Sequence, residues 1–349
     1  MDLSIALILA QDGITTGAVY ALLAVGLVLV FAVTRAIFIP QGELVAYGAL
    51  SIAMLQDGKT PATVWLLAAL GVACFFKDCW LAMRPGTARA AQLGGSALAN
   101  LGVPALVCAL ALLLPLKTLA QPLQVLLTLA IVAPMGPMLY RLAYEPLADA
   151  SVLVLLIVSV AVHFVMTGLG LVMFGAEGAR SLAFSEWRQE LGPLTLTGQG
   201  LSVIVTSVLI MAALSLFFTT TVPGKALRAT AVNRLGARLM GIEVARSGKL
   251  AFLLAGLIGA FSGVLIGPIT TVYYDSGFLI GLKGFVGAII GGLGSYAIAA
   301  GGALLVGLME AYSSFYASAY KEVLVFTLIV PVLAWRSLRS HGLHDEEES

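Results

Sequence analysis

From Ser151 to Phe174 the chain reads SVLVLLIVSVAVHFVMTGLGLVMF, without a single Asp, Glu, Lys or Arg. A run of that length crosses the hydrocarbon core of a bilayer as a helix, because about 20 apolar residues rising about 1.5 Å each cover about 30 Å. Similar runs recur along all 349 residues. With 60% hydrophobic residues, 11% charged residues and a mean hydropathy of +1.02, too little charge remains to cover a water-facing surface. The sequence therefore specifies an all-α, polytopic transmembrane helical bundle whose outer surface meets the lipid bilayer. A formal net charge of +1 gives no reason to expect a nucleic-acid partner.

The N-terminus carries acidic Asp2 and lacks the basic region, short apolar run and small-residue cleavage site of a removable signal peptide, so the first segment is expected to stay in the membrane. About eleven spans are predicted. They are Ile14 to Val33, Gln41 to Leu55, Pro61 to Phe76, Ala97 to Leu116, Pro122 to Tyr140, Ser151 to Phe174, Leu201 to Val222, Leu250 to Tyr273, Leu279 to Leu293, Ala299 to Tyr316 and Glu322 to Trp335. The second and ninth are short, which marks either tilted core helices or broken helices beside a transport path. Residues 1–335 form one transmembrane domain, followed by a solvated acidic tail over 336–349. Cys74, Cys79 and Cys108 fall in or beside apolar segments, where Cys acts as a small hydrophobe, so neither a disulfide nor a metal site is expected.

Gly224 to Leu250 holds six Lys or Arg against one Glu. If that loop is cytoplasmic, alternation places Arg35, the Arg84 and Arg89 loop, Arg141, and Arg336 with Arg339 on the same side. The other side receives Asp2 and Asp12, Asp57 with Lys59, Lys117, and the Ala176 to Gly200 loop. The N-terminus is then outside and the C-terminus inside. The loop is longer than topology requires. Leu235, Leu239 and Ile242 recur at helical spacing, with Arg234 and Arg238 on a neighbouring face, predicting a short amphipathic helix. Such a helix either lies on anionic lipid or docks into a groove on a partner.

Four ordered stretches carry a family resemblance. Gly224 to Gly263 (GKALRATAVNRLGARLMGIEVARSGKLAFLLAGLIGAFSG), Gly17 to Ala49 (GAVYALLAVGLVLVFAVTRAIFIPQGELVAYGA), Leu139 to Leu147 (LYRLAYEPL) and Gly281 to Tyr316 resemble the LivH-type inner-membrane permeases of high-affinity branched-chain amino acid ABC transporters. The resemblance implies a transport subunit rather than an enzyme, in a bacterial inner membrane. It implies assembly with two cytoplasmic ABC ATPase subunits, a second LivM-like permease or another copy of itself, and a periplasmic solute-binding protein. It makes residues 223–249 the ATPase-coupling loop, in which Ala231, Asn233, Gly236, Arg238, Gly241 and Ile242 are the expected contacts. Three departures stand out, one of them the family's usual Pro-Gly-containing end after the last helix, here replaced by WRSLRSHGLHDEEES. The family's usual Asn-Phe-Ala-His-Gly-Glu break is here Phe38 to Glu43, FIPQGE, and residues 75–123 have no obvious counterpart, as expected of an inserted helical hairpin.

No cofactor is expected in this chain. Gly58, Lys59 and Thr60 supply the end of a phosphate-binding loop, but Ala53 stands where its first glycine belongs. ATP would therefore be bound by partner chains.

Gly259, Gly263 and Gly267 form overlapping GxxxG repeats and Gly287 with Gly291 forms another, predicting close helix-packing seams. Among polar residues at membrane depth, Gln41, Gly42, Glu43 and Lys283 are the candidates for a translocation path. Each has a structural alternative: Glu43 as a helix cap, Lys283 as a snorkelling side chain, Glu310 as a hydrogen-bond partner between helices, His163 as a satisfied core residue. An ion-coupled secondary transporter is the competing class, and Glu310 is the carboxylate that would serve it. An intramembrane enzyme lacks a catalytic set, since the three His comprise His163 alone and two in the tail.

Overall fold

The computed structural model describes residues 3–83, 93–192 and 194–334. In chain order the helices are α1 (Leu3–Thr34), α2 (Gln41–Gln56), α3 (Thr63–Ala82), α4 (Leu93–Ala97), α5 (Val103–Leu113), α6 (Gln121–Val132), α7 (Met135–Leu139) and α8 (Val152–Phe174). A hairpin of β1 (Arg188–Leu191) and β2 (Leu194–Thr197) precedes α9 (Gly198–Thr220), α10 (Val222–Val232), α11 (Arg234–Leu239), α12 (Val244–Ile266), α13 (Ser276–Ile290), α14 (Tyr296–Tyr316) and α15 (Lys321–Thr327). A π turn at Leu98–Gly102 joins α4 to α5, and another at Tyr140–Tyr144 extends α7.

Among the described residues, eight helices are long and apolar enough to cross a membrane, with α4–α5 and α6–α7 each counted as one. All eleven predicted segments contain helix, but the eighth, expected to reach Tyr273, ends at Ile266, α2 and α13 have 16 and 15 residues, and the last divides at Leu328 between α15 and helical residues 329–334. The shortfall has a physical cause in the two short helices: both start inside the bundle. The Arg84 and Arg89 loop, Asp2, and the tail with Arg336 and Arg339 lie outside the described residues.

Boundaries follow local chemistry. Ser151 caps α8 by accepting from the Val154 N–H at 3.4 Å, and Gly175, with φ 78, ends it. Thr197 caps α9 through the Gly200 N–H at 3.1 Å. Pro134 lacks an amide hydrogen and interrupts the helix between α6 and α7. The third predicted span, ended at Phe76, continues to Ala82, so the expected insertion boundary at 75 falls inside α3.

Burial divides the bundle into layers. The most apolar window is 83% buried in α1 and 67% in α12, against 22% in α8 and α9. Helices α1, α2, α12 and α13 therefore form the centre, with α14 packed along α1 and the α3–α5 hairpin at the rim. Two corrections concern loops. Residues 223–249, expected as a loop, fold largely into α10 and α11, and α12 begins at Val244 rather than Leu250. The Ala176 to Gly200 segment contains the β1–β2 hairpin, registered Arg188 to Thr197 through Leu191 to Leu194, and is tied to the bundle by an Ala179–Val272 bridge and Arg180 bonds to the Pro268 and Ile269 carbonyls at 2.9 and 2.8 Å.

Side chains group the connections at two ends. At one end the Leu182 N–H donates to Gln56 Oε1 at 2.7 Å and Gln11 Nε2 donates to the Thr195 carbonyl at 2.9 Å, which gathers the starts of α1 and α9 with the end of α2. At the other, Arg234 reaches the Ala148 carbonyl at 3.4 Å, Arg238 pairs with Asp149 at 3.6 Å, Lys77 and Lys249 pair with Glu145 at 3.7 and 3.6 Å, and Arg141 pairs with Asp78. This second end is the basic one.

Candidate functional site: a mid-membrane chamber

Two helices begin halfway through the bundle at one point. His163 lies at the midpoint of α8. Its Nδ1 is 3.0 Å from Glu43 Oε1 in the first turn of α2, and its ring is 4.7 Å from that of Phe278 in the first turn of α13. From that level α2 runs to the end that holds Gln56 and Leu182, while α13 runs to the opposite end. Their starts touch. Side chains do not fit between them: a Cβ on Gly42 would strike the Gly277 carbonyl, and one on Gly277 would lie 2.8 Å from the Gly42 carbonyl carbon. Both positive helix ends thus face the membrane centre, an arrangement that broken helices adopt around transported solutes.

The return of the chain into the bundle is made at Arg35, which adopts φ 63 with its N–H on the Phe31 carbonyl at 2.8 Å. A left-handed non-glycine residue is strained, and here it directs Phe38, Ile39 and Pro40 inward. Beyond the reversal, Gln41 lies against Gly26, the one position on α1 where a Cβ would displace the Gln41 amide.

At this junction sits a chamber of about 470 Å³, within the range of about 300–1,000 Å³ usual for small-molecule sites. Its walls are mainly apolar, from Leu23 and Leu27 of α1, Leu156, Val160 and Phe164 of α8, and Phe278 and Phe285 of α13. Gln41, Gly42 and His163 bring polar groups to it. Phe164 is 67% and Phe278 36% exposed, so the chamber borders the outer surface between α8 and α13. Toward the basic end Phe38 stacks into an aromatic cluster, 4.6 Å from the Phe252 ring, which in turn lies 4.9 and 5.0 Å from Tyr140 and Tyr144.

Gln41, Gly42 and Glu43 are therefore brought together, and Lys283 is not with them. Lys283 faces α14 and α15, its Nζ 2.5 Å from Glu310 Oε1 of α14 and 3.3 Å from Glu322 of α15, and Tyr20 donates to Glu310 Oε2 at 2.7 Å. It is buried and paired rather than snorkelling, and lines a second cavity of about 650 Å³ with Asp12, Tyr20 and both carboxylates. The first turn of α2 has no side-chain cap, so Glu43 serves His163 instead. His163 was legible as the only ionisable group in its span, but its partner was not.

The expected coupling residues cluster at the basic end. Asn233 caps α11, its Oδ1 accepting from the Gly236 N–H at 2.9 Å. Gly241, with φ 77, closes it: the Gly241 N–H bonds the Arg238 carbonyl at 3.0 Å and the Ile242 N–H the Ala237 carbonyl at 2.9 Å. Ala231 and Ile242 are half-buried anchors. What α11 presents outward is Leu235, Leu239 and Met240, all exposed, beside exposed Arg238.

The packing seams find specific partners. Gly263 meets the Val45 carbonyl and Gly259 the Gln41 carbonyl of α2, while Gly287 and Gly291 meet Ala303 and Ala299 of α14. Gly267 lies past the end of α12 and faces Ser181 in the 176–200 segment, outside the helix seam. An unforeseen seam joins Gly13 and Gly17 of α1 to Gly307 of α14.

A helical membrane bundle with two half-helices meeting at a central chamber defines a polytopic membrane transport protein. A family model described as branched-chain amino acid transport system, permease component, matches residues 80–333, and the chain belongs to that family. It is 28% identical to the high-affinity branched-chain amino acid transport system permease protein LivH of Escherichia coli K12, over 92% of this chain and 91% of the relative. It is 32% identical to LivH of Salmonella typhimurium over 55% of this chain and 65% of the relative, and 30% identical to BraD of Pseudomonas aeruginosa over 58% and 68%. No solved structure matches. The chain is thus a transport permease component, not an enzyme.

Proposed function

We propose that this chain is the permease subunit of an ATP-driven ABC importer that moves branched-chain amino acids, or a related small polar solute, across the bacterial inner membrane by alternating access. Two cytoplasmic ATPase subunits bind the ATP, a periplasmic binding protein delivers the solute, and a second LivM-like permease or another copy of this chain covers the chamber between α8 and α13. The basic end faces the cytoplasm.

The observation that carries the ATP-driven reading is α11. Its two ends are fixed by Asn233 and Gly241, yet it leaves Leu235, Leu239 and Met240 in the open. Apolar side chains held outward on a rigid, capped turn suit a groove on another protein. ATP binding then moves α11, and through α10 and α12 the wall of the chamber, between two states that the ligand must bind unequally. The test is affinity purification from the native membrane, comparing the wild type with Arg238→Glu/Ile242→Asp and with Leu239→Asp. Two ATPases and a second permease that co-purify with the wild type and are lost from Leu239→Asp support the proposal. A second reading, an ion-coupled secondary transporter, is favoured by the buried Glu43–His163 pair. A chain that purifies alone and accumulates solute without ATP would establish it.

A further inference from the structure

We infer that Gln41 is the hydrogen-bond acceptor for the ammonium group of the transported solute, and that the apolar chamber beside it holds the solute's aliphatic part. This rests on the permease reading and adds to it a specificity-determining residue.

Gln41 is 1% exposed and lines the chamber. Its Nε2 donates to the Leu23 carbonyl at 3.3 Å. A carbonyl can only accept, so the amide orientation is fixed, with the nitrogen toward α1 and Oε1 left over. Oε1 has no partner among the described residues. A buried acceptor without a donor is costly, and a fold keeps one where a ligand completes it. The neighbouring carboxylate repeats the pattern: Glu43 Oε1 is engaged by His163, while Oε2, fully buried, has no partner among the described residues.

The chamber wall contains no Lys or Arg. Its side chains other than Gln41 and His163 are apolar, so no Lys or Arg side chain is at hand to satisfy Oε1. An ammonium supplies up to three N–H donors, one of which Gln41 Oε1 can accept. A carboxylate presented alone supplies no donor to Gln41 Oε1. Leu27, Val160 and Phe285 then cover a branched aliphatic chain by burial alone.

The experiment uses the full chain in its complex, with Cys74, Cys79 and Cys108 replaced by Ala and Val160→Cys as a chamber reporter. The maleimide alkylation rate is measured with L-leucine, with 3-methylbutylamine and with 4-methylpentanoate, the last two lacking carboxylate and amine respectively. L-leucine and 3-methylbutylamine are expected to slow alkylation about tenfold at about ten times Kd, since the free fraction falls as 1/(1 + [L]/Kd), and 4-methylpentanoate to leave it unchanged. Gln41→Leu, which removes donor and acceptor, is expected to abolish the protection by amine. Gln41→Glu removes only the donor to Leu23 and is expected to retain it, which separates substrate contact from a packing role. Equal protection by 4-methylpentanoate, protection undiminished in Gln41→Leu, or loss of it in Gln41→Glu would each overturn the assignment. Recovery of the ATPase partners is scored on the same samples, so failure of the permease reading gives a different result from failure of the site.

Discussion

Gly263 shows how little room one residue has at the centre of this bundle. A Cβ there would strike the Val45 carbonyl and come within 2.8 Å of the Ala49 amide nitrogen, both on α2 and both backbone, so neither can rotate away. Gly263→Ala must therefore push α12 from α2, and overpacking of this kind costs about 1–3 kcal/mol. The expected outcome is a lower melting temperature of the purified complex and reduced uptake. Gly94→Ala, where nothing lies within 4 Å, is the control and should behave as wild type. An unchanged Gly263→Ala protein would mean that α2 and α12 are not packed at this seam. The repeat itself was legible, because glycines four apart in an apolar run have few other uses. Their partners were not, since a repeat says which face is thin and not what lies against it. Gly267 illustrates the limit: it continues the spacing, but α12 has ended by then and the residue meets Ser181.

At the scale of elements, the sequence revealed short helices and a basic loop and concealed what they do. The second and ninth apolar runs were too short to cross alone, but only packing shows that α2 and α13 start at one level, because the Gly42–Gly277 contact joins residues far apart in the chain. In the basic loop, the Leu235 and Leu239 spacing was legible, while Met240 was missed because it follows the last helical residue and is turned outward by the Gly241 reversal. That reversal supplies a test of whether the shape of α11 matters apart from its side chains. Gly241 has φ 77, and no atom lies within 4 Å of the point where a Cβ would sit, so Gly241→Ala meets no clash and bears only the left-handed backbone cost, about 1–2 kcal/mol. The chain should still insert and reach normal abundance, while the ATPase activity of the complex stimulated by the binding protein falls several-fold. Leu239→Asp should go further and release the ATPases, because a buried interface anchor is worth about 2 kcal/mol or more, roughly 30-fold in affinity. Gly241→Ala with full stimulated ATPase activity would show that the docking surface tolerates a distorted α11.

The whole molecule holds the chamber closed toward the basic end. Phe38 comes from the reversal after α1, Phe252 from α12, and Tyr140 and Tyr144 from the turn after α7, so four rings from three separate parts of the chain meet over the exit. Tyr144 also shares a 3.0 Å hydrogen bond with Ser159 of α8. With the basic end proposed as cytoplasmic, a passage from the chamber to that side parts these rings, and α12 is the next helix after α11. Force applied at α11 thus reaches Phe252, two turns into α12, across the four-residue Met240 to Glu243 turn. Phe38 is fully buried, and replacing a buried Phe by Ala removes about 3–5 kcal/mol of packing. In Phe38→Ala the closed arrangement loses its central ring, and proteoliposomes holding the complex should leak L-leucine down its gradient without ATP, whereas the wild type should not. Phe38→Leu, which keeps most of the volume, should leak far less. Normal abundance of Phe38→Ala with no leak would place the cytoplasmic barrier elsewhere, and the remaining contact between the chamber and α11 would then run through α10 and α1 instead of α12.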